Sequence, residues 1–142
     1  MTNPNESRNS WIQDHLHSYI STDGKDGHIW RGVPTLLLST TGRLSGKLHT
    51  TPLIYGKFED KFLIIASRGG APTHPQWYLN ILNNPKIGIQ VLSDKFQANG
   101  RTANDEEKPK LWKIMSEIWP AYDDYQQKTD RSIPLVIIEK VT

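Results

Sequence analysis

The sequence contains no cysteine among its 142 residues. This absence excludes disulfides, thiolate metal sites and thiol nucleophiles, so the chemistry must rest on a cofactor or on hydroxyl groups. Long apolar runs are missing as well, because no stretch approaches the roughly 18 apolar residues of a membrane span. The N-terminus also lacks the basic and apolar regions of a signal peptide. We therefore expect a soluble, cytoplasmic protein.

A marked excess of one charge is missing too, since 17 Lys and Arg residues stand against 15 Asp and Glu residues. The formal net charge of +2 excludes the broad basic surface of a duplex-DNA-binding protein, so nucleic acid is not an expected partner. His15, His17 and His28 have neither the spacing nor the nearby carboxylates of a zinc site, and no metal is expected. The length suits a single compact domain.

An amphipathic helix is predicted near the N-terminus, after a polar stretch of residues 1–8 that we expect to be frayed. Its apolar residues recur at spacings of three and four, as on one helix face: Trp11, Ile12, His15, Leu16, Tyr19 and Ile20. The opposite face carries Asp14 and few cations, which favours packing on the rest of the protein over contact with a membrane surface. This helix and the turn-rich loop that follows form residues 1–32, ahead of a main body over residues 33–142.

The main body has the pattern of an antiparallel sheet interrupted by helices. Runs rich in β-formers and bounded by turn residues predict six strands: Val33–Thr40, Leu48–Gly56, Lys61–Ser67, Ile87–Leu92, Lys95–Thr102 and Ile133–Glu139. The short polar breaks Glu59-Asp60 and Ser93-Asp94 predict two hairpins. A short helix is expected after His74-Pro75, and a longer one near Asp105–Trp119, which begins with a capping box of Asn104 and Glu107. The fold class is therefore α+β, with a curled antiparallel barrel of about six strands.

The segment Thr40–Pro52 has a composition that suits an anion. It carries two glycines, the cations Arg43 and Lys47, one histidine and five hydroxyl groups between two predicted strands. Glycine lets backbone N–H groups converge, and the cations add charge-assisted contacts to phosphate or carboxylate oxygens. The pattern is not that of a P-loop, so a solvated hairpin with ordinary turn glycines stays an alternative.

A second segment, Ala66–Pro72, ends an apolar strand with Arg68 and a glycine pair just before a predicted helix, whose N-terminus would attract an anion. A flexible connection is the alternative. On that helix, Trp77 could pack in the core or line a pocket. Near the end of the longer helix, Tyr122 is the candidate hydrogen-bond donor, although a structural hydrogen bond would explain it equally.

Four blocks together resemble the actinobacterial deazaflavin-dependent nitroreductase family in order and spacing. They read TTGRLSG, ASRGGAP, HPQWYLNILNNP and WPAYDDYQQKTDRSIPLV, within a resemblance that spans about Val33 to Glu139. The resemblance implies a split β-barrel of the flavin-reductase and pyridoxamine-phosphate-oxidase type, with coenzyme F420 in a groove beside it. It also implies an oxidoreductase that passes a hydride from reduced F420 to a quinone, enone or nitro compound.

The same resemblance implies the site residues, position by position. Tyr122, Ser67 and Trp119 would be the catalytic residues on the substrate side, and Thr51 and Pro52 would lie nearest the cofactor ring. The implied cofactor-binding residues are Arg43, Leu44, Ser45, Lys47, His49, Thr50, Thr51, Pro52, Leu53, Ile54, Ile65, Ala66, Ser67, Arg68, Gln76, Trp77, Tyr78, Leu79, Asn80 and Tyr122.

The chain departs from the family pattern at four of these positions. Family members often carry Lys, Arg and Lys where this chain has Leu44, His49 and Arg68, so two positive charges are lost. Each lost exposed contact would weaken cofactor binding by about 1 kcal/mol, with Arg43 and Lys47 in place to compensate. Some relatives have Tyr at Ile54, so activity on nitro drugs does not follow for this chain.

Three other functions stay open from the sequence. The first is an FMN-dependent oxidoreductase on the same barrel, which would hold a yellow flavin. The second is a non-catalytic carrier of deazaflavin or haem. The third is a quinone reductase that contacts a membrane surface through its N-terminal helix. The sequence is compatible with a monomer and with a homodimer.

Overall fold

The computed structural model describes the backbone of residues 4–141 and the side chains of residues 12–141. Its helices are α1 (Pro4–Ser21), α2 (Gln76–Asn83), α3 (Lys108–Ile118) and α4 (Ala121–Gln127). Its strands are β1 (Ile29–Trp30), β2 (Val33–Thr41), β3 (Leu48–Ile54), β4 (Gly56–Phe58), β5 (Lys61–Ile65), β6 (Lys86–Val91), β7 (Asp94–Thr102) and β8 (Leu135–Lys140). A short 3-10 turn covers Arg68–Gly70.

The strands form one antiparallel sheet that curls into a barrel, as the sequence predicts. From β1 the order is β1-β2-β6-β7-β8-β5-β4, and β3 pairs with β2. The predicted strand Leu48–Gly56 is wrong as a single element, because the chain breaks at Tyr55. Before the break it pairs with β2, with Ile54 opposite Thr35, and after it Gly56 lies opposite Leu63 of β5. One run of chain thus joins the two ends of the sheet and closes the barrel.

Strands β5 and β8 separate two hydrophobic cores. Their residues alternate sides, so that Ile64 and Val136 pack inside the barrel, whereas Leu63 and Leu135 face α3 and α4. All four side chains are fully buried. Because both faces are covered, the strands read as continuous apolar runs instead of alternating ones. This second core fixes α4 against the barrel.

The hairpins are confirmed, with one shift in position. Phe58 pairs with Lys61 across Glu59-Asp60, and Val91 pairs with Asp94. The second turn is therefore Leu92-Ser93, since Asp94 already belongs to β7. Leu92 adopts a left-handed φ of 56° there, and its N–H donates to the Tyr19 hydroxyl at 2.8 Å. Sequence alone does not show that tertiary contact.

The helices differ from prediction at their ends. The capping box is present, since the Glu107 N–H donates to Asn104 Oδ1 and the Asn104 N–H donates to Glu107 Oε1, both at 2.9 Å. A turn still precedes α3, which begins at Lys108 with Pro109 in its first turn, where proline is tolerated. Helix α4 was not predicted as a separate element, since the aromatic residues from Trp119 to Tyr125 were expected to finish the longer helix. That helix ends at Ile118, and α4 begins at Ala121 after Pro120.

Helix α1 packs on the barrel, as its apolar face predicts. It begins at Pro4, so the predicted fraying is wrong for residues 4–8, where proline suits a first helical turn. Residues 1–3 and the Trp11 side chain lie outside the described residues. The fully buried Tyr19 donates its hydroxyl to the Thr35 carbonyl at 3.1 Å. Within the part of the chain that the structure describes, no helix is long and apolar enough to cross a membrane.

Candidate active site

Two adjoining cavities form a groove between α1, β3 and α2. The polar cavity has a volume of about 610 Å³ and contains Arg43 at the bend between β2 and β3. The aromatic cavity has a volume of about 500 Å³ and contains Tyr122 of α4. Ile12, Thr51 and Trp77 line both cavities. The groove therefore offers one continuous site with a polar end and an aromatic end.

The Arg43 side chain is fixed in the polar cavity by two amide groups. Its guanidinium donates to Asn80 Oδ1 at 3.0 Å and to Gln76 Oε1 at 2.8 Å. Asn80 is itself buried, and its amide nitrogen donates to Thr40 Oγ1 at 3.2 Å. Since both partners are neutral, the arginine is oriented while its positive charge stays unneutralised. This is the arrangement that binds an anionic group.

The bend that carries Arg43 is closed by its own backbone. The Gly42 N–H donates to the Lys47 carbonyl at 2.7 Å, and the Gly46 N–H donates to the Gly42 carbonyl at 2.8 Å. Gly46 has a φ of +72°, a conformation that glycine adopts without steric cost. A Cβ at Gly42 would lie 2.8 Å from His49 Nε2. The bend is therefore compact on the side that faces the cavity.

The loop between β5 and α2 forms one wall of the aromatic cavity. Arg68, Gly69 and Gly70 all have positive φ, of 47°, 63° and 85°. The Arg68 guanidinium donates to Thr73 Oγ1 at 2.6 Å, within the same loop. Gly70 is buried against α4, and a Cβ there would lie 2.8 Å from the Tyr125 carbonyl oxygen. The glycine pair thus lets the loop approach α4 closely.

We expect Gly70→Ala to destabilise the protein by about 2–4 kcal/mol, because left-handed strain adds to a clash with backbone. The matched control is Gly69→Ala, where φ is +63° and nothing lies within 4 Å of the added Cβ. That variant should lose only about 1 kcal/mol, from backbone strain alone. Urea unfolding measures both free energies of unfolding. Equal midpoints for the two variants would contradict the close packing of the loop on α4.

Tyr122 supplies a hydroxyl group to the aromatic cavity. The side chain is only 5% exposed, yet it lines the cavity, and its hydroxyl makes no hydrogen bond to the described part of the chain. Burial raises the pKa of Tyr122 above its usual value, and the neighbouring Tyr125 adds to the shift. The phenol therefore stays protonated and able to donate. The alternative of a structural hydrogen bond for Tyr122 is not supported by these contacts.

Other aromatic side chains line the same cavity. Trp119 lies 5.6 Å from Trp30 between ring centroids, and Tyr125 lies 6.1 Å from Tyr122 at 77°. The Trp119 Nε1–H donates to the Tyr125 hydroxyl at 3.5 Å. Ring faces and edges of this kind favour a planar, largely apolar ligand.

The structure brings most of the predicted site residues to the groove. Those on the polar cavity are Arg43, Leu44, Ser45, His49, Thr50, Thr51, Gln76, Trp77 and Asn80. Those on the aromatic cavity are Thr51, Pro52, Leu53, Ile54, Ile65, Ser67, Arg68, Trp77, Trp119 and Tyr122. The roles assigned to these residues stay predictions.

Four predicted residues do not line either cavity. Lys47 is exposed and contributes its carbonyl to the bend. Ala66 is buried in the barrel core, and Leu79 is half-buried on α2. Tyr78 is 5% exposed and its hydroxyl lies 2.8 Å from Thr102 Oγ1. Helix α2 therefore presents Gln76, Trp77 and Asn80 to the groove and turns Tyr78 toward the sheet.

Sequence reasoning missed several residues of the groove. Ile12 and Gln13 of α1, Trp30 of β1 and Tyr125 of α4 all line it. Helical spacing identifies the α1 face but does not show where that helix docks. β1 has two residues, too few for a periodic pattern. Tyr125, which was not among the predicted site residues, stands one helical turn after Tyr122, a spacing that places both side chains on one face of a helix.

The comparisons with known proteins agree with this fold. The sequence model of the family described as F420H(2)-dependent quinone reductase matches residues 11–140. An F420H(2)-dependent quinone reductase of Mycobacterium tuberculosis (strain H37Rv) is 36% identical over 143 residues, covering 92% of this chain and 96% of the relative.

Two solved structures are also similar. An F420-H2 dependent reductase, FDR-A, superposes with a TM-score of 0.70 at 38% identity, over 79% of this chain and 98% of that one. A domain-swapped dimer superposes with a TM-score of 0.73 at 34% identity, over 96% of this chain and 100% of that one. The split-barrel fold and the resemblance to a deazaflavin-dependent family are confirmed. This chain belongs to the F420H(2)-dependent quinone reductase family.

Proposed function

We propose that this protein is an F420H2-dependent reductase whose acceptor is a quinone. The observation that carries the proposal is the pairing of two groups in one groove. The polar cavity holds an arginine fixed by neutral partners, and the adjoining aromatic cavity holds a tyrosine hydroxyl that makes no hydrogen bond to the described part of the chain. Family membership and the relatives described above support the same cofactor and acceptor class.

The residues present fit a ligand with a planar ring and an anionic arm. Arg43 and the bend at Gly42 would hold a phosphate of the arm, because the guanidinium is already oriented by neutral partners. Thr51 and Trp77, which line both cavities, would contact the region where arm and ring join. When bound, reduced F420 would supply the hydride.

The chain's own residues would then bind and polarise the acceptor. A quinone that gains a hydride develops negative charge on oxygen, and the Tyr122 hydroxyl would donate a hydrogen bond there. Burial keeps this phenol protonated, so it remains a hydrogen-bond donor to the developing charge. Ser67, on the loop beside the same cavity, would be the second donor, and Trp119 would cover the ring and exclude water.

The first experiment is a titration of F420 fluorescence with purified protein, followed by anaerobic assays of F420H2 oxidation. We expect saturable quenching and F420H2 consumption with menadione, at higher kcat/KM than with a cyclohexenone or a nitroimidazole. Binding without consumption of F420H2 would favour a carrier over an enzyme. A yellow protein with tightly held FMN that F420 does not displace would favour the flavin-dependent alternative. Either result would overturn the proposal.

Cytoplasmic location, oligomeric state and a membrane contact of α1 stay predictions. Gel filtration with light scattering tests the oligomeric state, for which a monomer and a homodimer are both compatible with the groove, since one chain lines it.

A further inference from the structure

Arg131, between α4 and β8, makes an unusual set of hydrogen bonds for a side chain outside the groove. Its Nε donates to the Ala71 carbonyl at 2.8 Å, and its Nη2 donates to the Ser67 carbonyl at 2.7 Å. Its Nη1 donates to the Ala66 carbonyl at 3.2 Å and lies 3.0 Å from His74 Nδ1. One guanidinium thus contacts four points of the loop between β5 and α2.

These contacts hold both ends of the turn that faces the aromatic cavity. Ala66 and Ser67 precede the left-handed residues Arg68 to Gly70, and Ala71 follows them. A non-glycine residue at a φ of 47° costs free energy, so the surrounding structure must fix it. The planar fork of an arginine suits this task, because its N–H donors have fixed directions. Without these donors, the carbonyls of Ala66 and Ala71 lose their side-chain partner.

Arg131 is itself fixed relative to α4. The Gln126 amide nitrogen donates to the Arg131 carbonyl at 2.8 Å, and the Ile133 N–H donates to Gln126 Oε1 at 2.9 Å. Gln126 belongs to the same helix as Tyr122. A chain of direct contacts therefore runs from the helix that carries the Tyr122 hydroxyl, through Arg131, to the backbone of Ser67.

The charge of Arg131 is not neutralised by these partners. Three of them are backbone carbonyls and one is an imidazole, and the guanidinium forms no ion pair with a carboxylate in the described part of the chain. Burial lowers the pKa of Arg131, and the positive charge of Arg68 lowers it further. The guanidinium of Arg131 contacts the Ser67 carbonyl at 2.7 Å, and its positive charge favours negative charge developing in the adjacent cavity.

We propose that Arg131 is a positioning residue for hydride transfer. Its hydrogen bonds to the loop from Ala66 to His74, which we call the clasp, set the distance between Ser67 and Tyr122. This inference rests on the proposed function, because it assigns Arg131 to the acceptor side of that same groove. The phosphate end, at Arg43, is built from other elements and does not depend on this clasp.

Arg131→Lys and Arg131→Gln test the proposal in steady-state and binding assays. We expect kcat with menadione to fall by about 10-fold in Arg131→Lys and by up to about 100-fold in Arg131→Gln, because a misplaced group loses orientation. The dissociation constant of F420 should change much less than kcat does, since Arg131 makes no contact at the phosphate end of the groove.

The matched control is Arg101→Lys. Arg101 also links distant segments, through Glu107 at 2.7 Å and Glu139 at 3.0 Å, but lines neither cavity of the groove. It should lose stability while keeping kcat. A kcat unchanged in both Arg131 variants, or a loss in Arg101→Lys as large as in Arg131→Lys, would overturn the positioning role.

A second readout needs neither cofactor nor activity. Burial lowers the pKa of His74, and the positive charge of Arg131 lowers it further. In NMR titrations, Arg131→Gln should therefore raise the His74 pKa, and the Gly70 and Ala71 amides should exchange faster. An unchanged His74 titration with unchanged exchange would overturn the clasp. If the native protein failed to bind F420 while these shifts appeared, the proposed function would fail and the clasp would stand.

Discussion

Arg43→Ala should raise the dissociation constant of F420 by about 10- to 100-fold, because it removes charge-assisted hydrogen bonds worth about 1.5–3 kcal/mol. Turnover at saturating F420H2 should change little, since Arg43 lines the polar cavity and not the aromatic one. Stability should also be preserved, because the backbone N–H of residue 43 still donates to Asn80 Oδ1 at 3.2 Å. Fluorescence titration gives the affinity directly.

The matched control for this prediction is Lys57→Ala. Lys57 is an exposed cation on β4 that lies outside both cavities, with its ammonium 5.2 Å from the Phe62 ring centroid. Removing it lowers the net charge by the same amount and should leave the F420 dissociation constant unchanged. An equal loss in the two variants would show that general charge, and not the oriented guanidinium, attracts the cofactor.

Tyr122→Phe should lower kcat with menadione by about 100-fold, the usual effect of losing one donor to a developing oxyanion. The affinity for F420 should change little. Since the hydroxyl makes no hydrogen bond within the described chain, the free energy of unfolding should also stay close to that of the native protein. Stopped-flow oxidation of F420H2 and urea unfolding measure the two quantities.

Tyr55→Phe is the matched control for the hydroxyl group. Tyr55 is also buried, but its hydroxyl lies 3.0 Å from His28 Nε2, away from the groove. This variant should lose about 1 kcal/mol of stability and keep its turnover. Unchanged turnover in Tyr122→Phe would remove Tyr122 from the reaction and leave Ser67 as the remaining donor.

Because the pKa of Tyr122 is raised, its ionisation should not limit turnover at or below about pH 10. An ordinary tyrosine ionises near pH 10, whereas burial holds this phenol in its neutral, donating form above that value. A fall in turnover near neutral pH would therefore come from another group.

The strands and hairpins could be predicted because their signals are local. Alternating or continuous β-rich runs mark the strands, and short polar breaks mark the turns. The division of Leu48–Phe58 at Tyr55 could not, because it depends on which strand each half meets at opposite ends of the sheet. Helix α4 was not separated from the longer helix for a related reason, since the packing of Tyr122 and Tyr125 in the second core is not visible in the sequence.

The two loops of the groove could be predicted from their motifs, whereas the contributions of α1 and β1 could not. The glycine-rich bend at Arg43 and the turn at Arg68 carry motifs that point to an anion, and both line the same groove. Ile12 and Trp30 reach it from elements whose docking the sequence does not specify. Arg131 was not identified either. It lies within one of the four family blocks, but its partners on the loop are about 60 residues away in the sequence, so no local pattern shows its contacts.

The most direct measurement of the central claim is a crystal structure of the protein with F420. The account predicts a phosphate oxygen within about 3 Å of the Arg43 guanidinium and the ring system in the cavity beside Tyr122. A phosphate seated elsewhere would contradict it, for example beside Lys86 and Lys95 in the larger depression of about 860 Å³ along β2, β6 and β7.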